Sequence, residues 1–207
     1  MTHDPHPRDA AGAPPATRPL PRSIAVFTGS ALGASPAVTD QVRAFGTFLA
    51  QHGITVVYGG GRVGLMGTLA DSALAAGGRV IGVMPESLVH SELAHTEIDD
   101  LHVVATMHER KARMADLAEA FVTLPGGSGT LEEFFEAWTW GQLGLHTKPV
   151  SLLDIDGSWG SLVTMLQDMV EQGFLAQRHL DGLIVAKDTD SLLDQLSSWT
   201  PPQAKWT

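Results

Sequence analysis

Three times in this chain a short apolar run ends in a glycine-rich turn, and each time a stretch of helical periodicity follows. Residues 23–28 (SIAVFT) lead into Gly29-Ser30, residues 54–58 (ITVVY) into Gly59-Gly60-Gly61, and residues 121–124 (FVTL) into Pro125-Gly126-Gly127-Ser128-Gly129. Short continuous apolar runs of this kind are the mark of strands buried on both faces, which is the situation of a parallel sheet covered by helices. Further apolar runs at 79–84, 101–105, 149–153 and 183–186 alternate with helical patterns at 36–51, 65–76, 108–118, 131–143, 159–172 and 191–199. Ser35 and Pro36 stand where an N-cap and a first helical residue belong. Alternation of this kind predicts the α/β class, with a doubly wound, mainly parallel sheet and helices on both faces. In such sheets ligands bind at the carboxyl ends of the strands, and all three glycine turns fall there.

The alternation spans residues 22–200 with no repeat and no second pattern, which predicts a single domain. Residues 1–21, rich in Pro, Ala, Thr and His, read as a disordered leader, and residues 201–207, opening on Pro201-Pro202, as a tail. The leader lacks the apolar centre of a secretory signal, so a cytoplasmic location is expected. No apolar run reaches the roughly 18 residues of a membrane span. A formal net charge of −10 with no Lys/Arg run excludes the basic footprint of a nucleic-acid binder. Cysteine is absent, which removes disulfides, thiolate metal sites and a thiol nucleophile. The histidines show no tight ligand spacing, and no metal site is expected.

The second turn contains GxGxxG at Gly59, Gly61 and Gly64, between a strand and a helix. A dinucleotide fingerprint has this form, but it belongs after the first strand and needs an acidic residue at the end of the next one. Here that strand ends Val83-Met84-Pro85-Glu86, and Pro85 distorts the required geometry. The third turn is the sharper signal. Gly126, Gly127 and Gly129 let backbone approach a ligand closely, Ser128 and Thr130 add hydroxyls, and the helix that follows presents unpaired N–H groups and the positive end of its dipole. That is a phosphate cradle, and not a Walker A loop, since no Gly-Lys-Ser/Thr follows. A structural alternative exists: Thr130-x-x-Glu133 has the spacing of a capping box, which would make Glu133 a helix-start residue only.

Met107-His108-Glu109-Arg110-Lys111-Ala112-Arg113 places three cations at the start of a helix, where the dipole disfavours them. In so acidic a chain that points to a bound anion, or, for Arg113, to a solvated face. Leu131, Phe134, Phe135, Trp138 and Trp140 give one helix more apolar bulk than a single internal face needs, so a subunit interface is expected there.

Together these residues resemble the LOG ("Lonely Guy") family of cytokinin riboside 5′-monophosphate phosphoribohydrolases, whose older relatives carry the label lysine decarboxylase. The PGGxGTxxE signature is matched from Pro125 to Glu133, and MHxRK from Met107 to Lys111. Weaker agreements are Gly29-Ser30, Tyr58 with its following glycines, Gly64-Leu65-Met66-Gly67 and Trp140-Gly141-Gln142-Leu143-Gly144. The likeness runs from about residue 23 to 198. Ser128 departs from it, since many members carry Tyr there. No lysine stands in a recognisable pyridoxal-phosphate context.

The resemblance implies a Rossmann-like fold, a homodimer or larger homo-oligomer, and no metal or organic cofactor. It implies hydrolysis of the N-glycosidic bond of an N6-modified adenosine 5′-monophosphate, giving free base and ribose 5-phosphate. In that reading Glu133 is the carboxylate facing the ribose, and Arg110 pairs with substrate and orients the site. An arginine stays charged at ordinary pH and is a poor proton donor. Gly126, Gly127, Ser128, Gly129 and Thr130 hold the 5′-phosphate, Leu131 is a further substrate contact, Glu132 reaches the ribose hydroxyls, and Lys111 adds an anion contact. Ser30, Glu92 and Thr139 are further substrate contacts. The competing reading is a non-catalytic nucleotide or molybdenum-cofactor carrier on a similar fold.

Overall fold

The computed structural model describes residues 19–89 and 94–206. Most of the expected leader (residues 1–18), together with residues 90–93 and 207, lies outside the described residues; Glu92 is among them.

The strands are β1 (Ser23–Phe27), β2 (Thr55–Tyr58), β3 (Val80–Pro85), β4 (Asp100–Val104), β5 (Ala120–Thr123), β6 (Val150–Leu153) and β7 (Ile184–Ala186). The helices are α1 (Pro36–Gln51), α2 (Gly64–Ala75), α3 (Glu86–Val89), α4 (Met107–Leu117), α5 (Ser128–Gln142), α6 (Gly160–Glu171), α7 (Gln177–Asp181) and α8 (Thr189–Ser198). The strands form one sheet in the order β4-β3-β2-β1-β5-β6-β7, with every neighbouring pair parallel. The connections wind outward in one direction from β1 and in the other from β5, so the crevice between these two strands is the topological switch point.

The two sides of β1 show how the sheet is sealed. Ile24 and Val26 join one core with Val42, Phe45 and Leu49 of α1, Leu65 and Leu69 of α2, and Leu192 of α8. Ala25 and Phe27 join the other with Met114 of α4, Phe134 and Trp138 of α5, and Leu162 and Leu166 of α6. Alternate residues of one strand thus feed opposite layers, which is the period-two geometry of a strand buried on both faces. The doubly wound expectation holds, and the sheet is wholly rather than mainly parallel.

Three short elements carry no periodic signature and escape sequence reading: α3, α7 and a 3-10 turn at Ile155–Gly157. The tail is docked rather than loose: the Lys205 N–H donates to the Gln142 carbonyl at 2.8 Å, and Arg178 Nε donates to the Gln203 carbonyl at 3.2 Å. No helix among the described residues is long and apolar enough to cross a membrane.

Candidate active site

At the switch point, the ends of β1 and β5 stand in register, with Phe27 beside Thr123, and the turns that follow them are tied together. The Gly29 N–H donates to the Pro125 carbonyl at 3.2 Å, and Thr28 Oγ1 donates to the same oxygen at 3.0 Å. The second glycine turn closes on this pair: the Met66 N–H donates to the Gly29 carbonyl at 3.2 Å. The glycine turns that follow β1, β2 and β5 therefore form one continuous rim.

Helix α5 begins at Ser128, with Gly127 as its N-cap residue and no side-chain cap. Thr130 therefore lies inside the first turn, and Glu133 is too far along for a capping box. This is a correction to the expected start at residue 131, and it removes the structural account of Glu133. The glycines that read as turn residues are in part helix, because their N–H groups stay unpaired at a helix start in either case. Gly126 must be glycine for packing, since a Cβ there would lie 2.1 Å from Thr130 Oγ1. At Gly127 and Gly129 a Cβ would meet nothing within 4 Å, so the space beside them is open.

What Glu133 does instead is meet Arg110. Arg110 Nη1 donates to Glu133 Oε1 at 2.7 Å, and both residues are 8% exposed. Arg110 is held from behind as well, its Nε donating to the Val83 carbonyl of β3 at 3.0 Å. Helix α4 delivers it. Thr106 caps that helix by accepting from the Glu109 N–H at 3.1 Å, and Glu109 Oε2 accepts from the Ala105 N–H at 3.0 Å. The acidic cap residue offsets the cations that looked misplaced in the first turn.

Burial pushes the Glu133 carboxyl above the ordinary glutamate range, with Arg110 pulling the other way and Glu132 adding to the rise. A buried ion pair is a poor source of stability, because desolvation cancels most of the attraction. One set beside an open crevice with a shifted carboxyl is the signature of a chemical site.

A cavity of about 280 Å³ opens over this pair, and Ser30, Arg110, Gly127, Ser128, Gly129, Thr130, Glu132 and Glu133 of the expected set line it. Sequence reading missed Thr28, Met66 and Met107, which also line it; the two methionines were read as motif scaffolding. Gly126 does not line this cavity and stands instead in the wall of a neighbouring pocket, with Gly29, Ser30 and Gly127. Lys111 is one step removed, its Nζ donating to Glu132 Oε1 and lying 2.9 Å from Glu136 Oε2. Burial alone would lower the Lys111 ammonium, but these two glutamates carry it above its usual range. Glu136 was not singled out from sequence, since an i, i+4 relation to Glu132 on a helix face reads as solvation.

Two expected contacts fall elsewhere. Leu131 is half-buried and packs against the core on the α4–α5 side. Thr139 is exposed further along α5 and does not line this cavity. The helix period is the cause: only the first turn and a half of α5 faces the crevice.

Comparison with known proteins bears on what this arrangement is for. A family profile described as possible lysine decarboxylase matches residues 66–196. A cytokinin riboside 5′-monophosphate phosphoribohydrolase of Rhodococcoides fascians is 43% identical over 182 residues, covering 87% of this chain and 92% of that one. One from Arabidopsis thaliana is 41% identical over 180 residues, covering 87% and 83%. Among solved structures, the molybdenum cofactor binding protein of Rippkaea orientalis superposes with a TM-score of 0.64 at 22% identity, covering 85% of this chain and 95% of that one. The molybdenum cofactor carrier protein of Chlamydomonas reinhardtii gives 0.61 at 21% identity, covering 83% and 93%. At that level of identity the likeness to carriers is one of fold.

Proposed function

This chain belongs to the LOG family, and from that premise we propose that it is a phosphoribohydrolase. It cleaves the N-glycosidic bond of an N6-modified adenosine 5′-monophosphate to free base and ribose 5-phosphate. The observation that carries this reading is the buried Arg110–Glu133 pair beside the open glycine-rich start of α5. A carrier needs the cradle but not a desolvated carboxylate beside it. The relatives above 40% identity are named as phosphoribohydrolases, whereas the carriers share about a fifth of their residues.

The 5′-phosphate sits against Gly127, Ser128, Gly129 and Thr130, where unpaired N–H groups and the helix dipole favour an anion. Glu133 lies about 7 Å further along the axis, at a rise of about 1.5 Å per residue, which suits the span of a ribose 5-phosphate. As the glycosidic bond lengthens, positive charge develops on the ribose, and the Glu133 carboxylate stabilises it and orients the attacking water. Arg110 holds that carboxylate in place and counters the raised proton affinity that burial imposes. Glu132, tethered by Lys111, reaches the ribose hydroxyls.

The protein works as a homodimer or larger homo-oligomer. Leu131, Phe135 and Trp140 are only half-buried on α5, and Leu145 just beyond it is 70% exposed. Light scattering at micromolar concentration should give the mass of at least two chains. A cytoplasmic location suits a phosphorylated nucleotide substrate.

The deciding experiment incubates the purified chain with isopentenyladenosine 5′-monophosphate and, separately, with its unphosphorylated nucleoside. Chromatography should show free base from the first, far faster than from the second. Equal rates would remove the phosphate cradle from the mechanism, and no base from either would leave a binding protein.

A further inference from the structure

A separate cavity lies at the opposite ends of the strands. The residues that precede β6 and β7 and those that follow α5 form it, so it opens at the amino ends of the strands, away from the crevice. Its volume is about 390 Å³, and Trp138, Trp199, Trp206, Pro201 and Pro202 supply much of its wall. The docked tail makes one side: Trp199 Nε1 donates to the Gly182 carbonyl at 2.7 Å, and Pro202 packs where a Gly182 side chain would stand, 2.8 Å from its Cβ position.

His179 of α7 lines this cavity. It is 2% exposed, yet among the described residues neither Nδ1 nor Nε2 has a hydrogen-bond partner. A buried imidazole with both nitrogens unmet forfeits its solvation without return and calls for a ligand. Burial holds the ring below its ordinary pKa, and the nearby charges of Arg178 and Lys205 add to that. The imidazole is therefore neutral near pH 7 and offers one donor and one acceptor. His146, the other histidine of the wall, is already engaged, its Nε2 with the Ala137 carbonyl at 2.7 Å and its Nδ1 accepting from the Lys148 N–H at 3.1 Å. Lys148 donates from Nζ to the Ala115 carbonyl at 2.6 Å. No Asp or Glu lines the cavity among the described residues.

We propose that this cavity is a second ligand site, which takes a neutral planar heteroaromatic molecule between its tryptophan and proline faces and hydrogen-bonds it to His179. Flat aromatic walls select a ring, through stacking and burial. The Lys148 ammonium of the wall is engaged with the Ala115 carbonyl and no carboxylate faces the cavity among the described residues, so the neutral imidazole selects an uncharged ring that carries a nitrogen donor or acceptor on its edge.

The test uses benzimidazole as the probe and naphthalene as its apolar counterpart, on the full chain saturated with ribose 5-phosphate. Tryptophan fluorescence should show saturable quenching by benzimidazole, and the His179 ring nitrogens should shift in a ¹⁵N-labelled sample. Naphthalene should bind at least fivefold more weakly. His179→Phe, which keeps the aromatic bulk and removes both nitrogens, should weaken benzimidazole about tenfold, the size expected of one buried hydrogen bond. Absence of saturable binding, unchanged ring-nitrogen shifts on titration of the native chain, or equal affinity for the two probes would each overturn the assignment. The ring-nitrogen measurement needs no variant, so it stands even if His179→Phe folds poorly.

Discussion

The guanidinium of Arg110 occupies the space that a side chain at Gly59 would fill. A Cβ on Gly59 would lie 1.9 Å from Arg110 Nη2 and 3.1 Å from its Cζ. The glycine turn after β2, which has the spelling of a dinucleotide fingerprint, is thus the floor under Arg110.

Gly59→Ala follows directly. The atoms that the new methyl meets first belong to the far end of a flexible side chain, so the turn survives and the arginine moves. The substituted protein should fold, with a melting temperature within a few degrees of the native one, and lose roughly a hundredfold in kcat/KM, the scale of one lost electrostatic element. Native turnover in this variant would show that Arg110 need not sit where it does.

Glu133→Gln keeps an oxygen for Arg110 and removes the charge. Turnover of isopentenyladenosine monophosphate should fall by about a hundredfold or more, while ribose 5-phosphate still binds. In the proposed mechanism this carboxyl acts ionised, and burial raises its pKa, so the acidic limb of the kcat/KM profile should lie above the ordinary glutamate value of about 4.3. Because Arg110 opposes that rise, Arg110→Ala should move the limb of any residual activity further toward neutral pH. A limb at or below the ordinary value would separate Glu133 from catalysis.

Gly129 separates stability from binding. An alanine there meets no atom of the described residues within 4 Å and suits a helix better than glycine by roughly 0.5–1 kcal/mol, so Gly129→Ala should melt about 1–4 °C higher. The same methyl enters the space given to the phosphate, and KM for the monophosphate should rise at least about tenfold. A variant that is more stable and equally tight would place the phosphate elsewhere.

The paired replacement Arg110→Met with Glu133→Leu tests whether the buried ion pair exists for chemistry. Apolar residues of similar size remove two desolvation costs at once, so thermal stability should be equal to or above native while activity vanishes. Loss of several kcal/mol in denaturant titration would instead make the pair a structural strut.

The strand ladder was legible because the inner β-strands are short apolar runs between breakers, and Ile24 to Phe27 serve both layers of the core; the edge strand β4 (DLHVV) is more polar and partly exposed. The extent of α5 was not, because Ser128, Gly129 and Thr130 have the composition of a turn and only a helix start with no side-chain cap explains them. Arg110 and Glu133 were each visible as chemistry, one in a cation cluster and one in an acidic stretch. Their pairing was not, since it joins residues twenty-three positions apart on two helices that pack on the same face of the sheet. Gly59 was read as a ligand turn because its true neighbour is a side chain fifty-one positions away, and no local pattern encodes that distance. The orphaned His179 lies on α7, too short a helix to announce itself in the sequence.

The switch point also divides the chain into two pieces that are chemically incomplete. Strands β1 to β4 and helix α4 carry Arg110, while β5 to β7 and helix α5 carry Glu133; within the sheet the two sets meet where β1 lies against β5, and beside it where α4 packs on α5. Ser23 secures the junction, its hydroxyl donating to the Leu117 carbonyl at 2.9 Å and its carbonyl accepting from the Glu119 N–H at 2.9 Å. A chain severed between α4 and β5 would yield one fragment with the cation and one with the carboxylate, neither able to turn over substrate alone. Restored turnover on mixing would then count reassembled molecules, and the reaction itself would serve as a clock for the formation of the central seam.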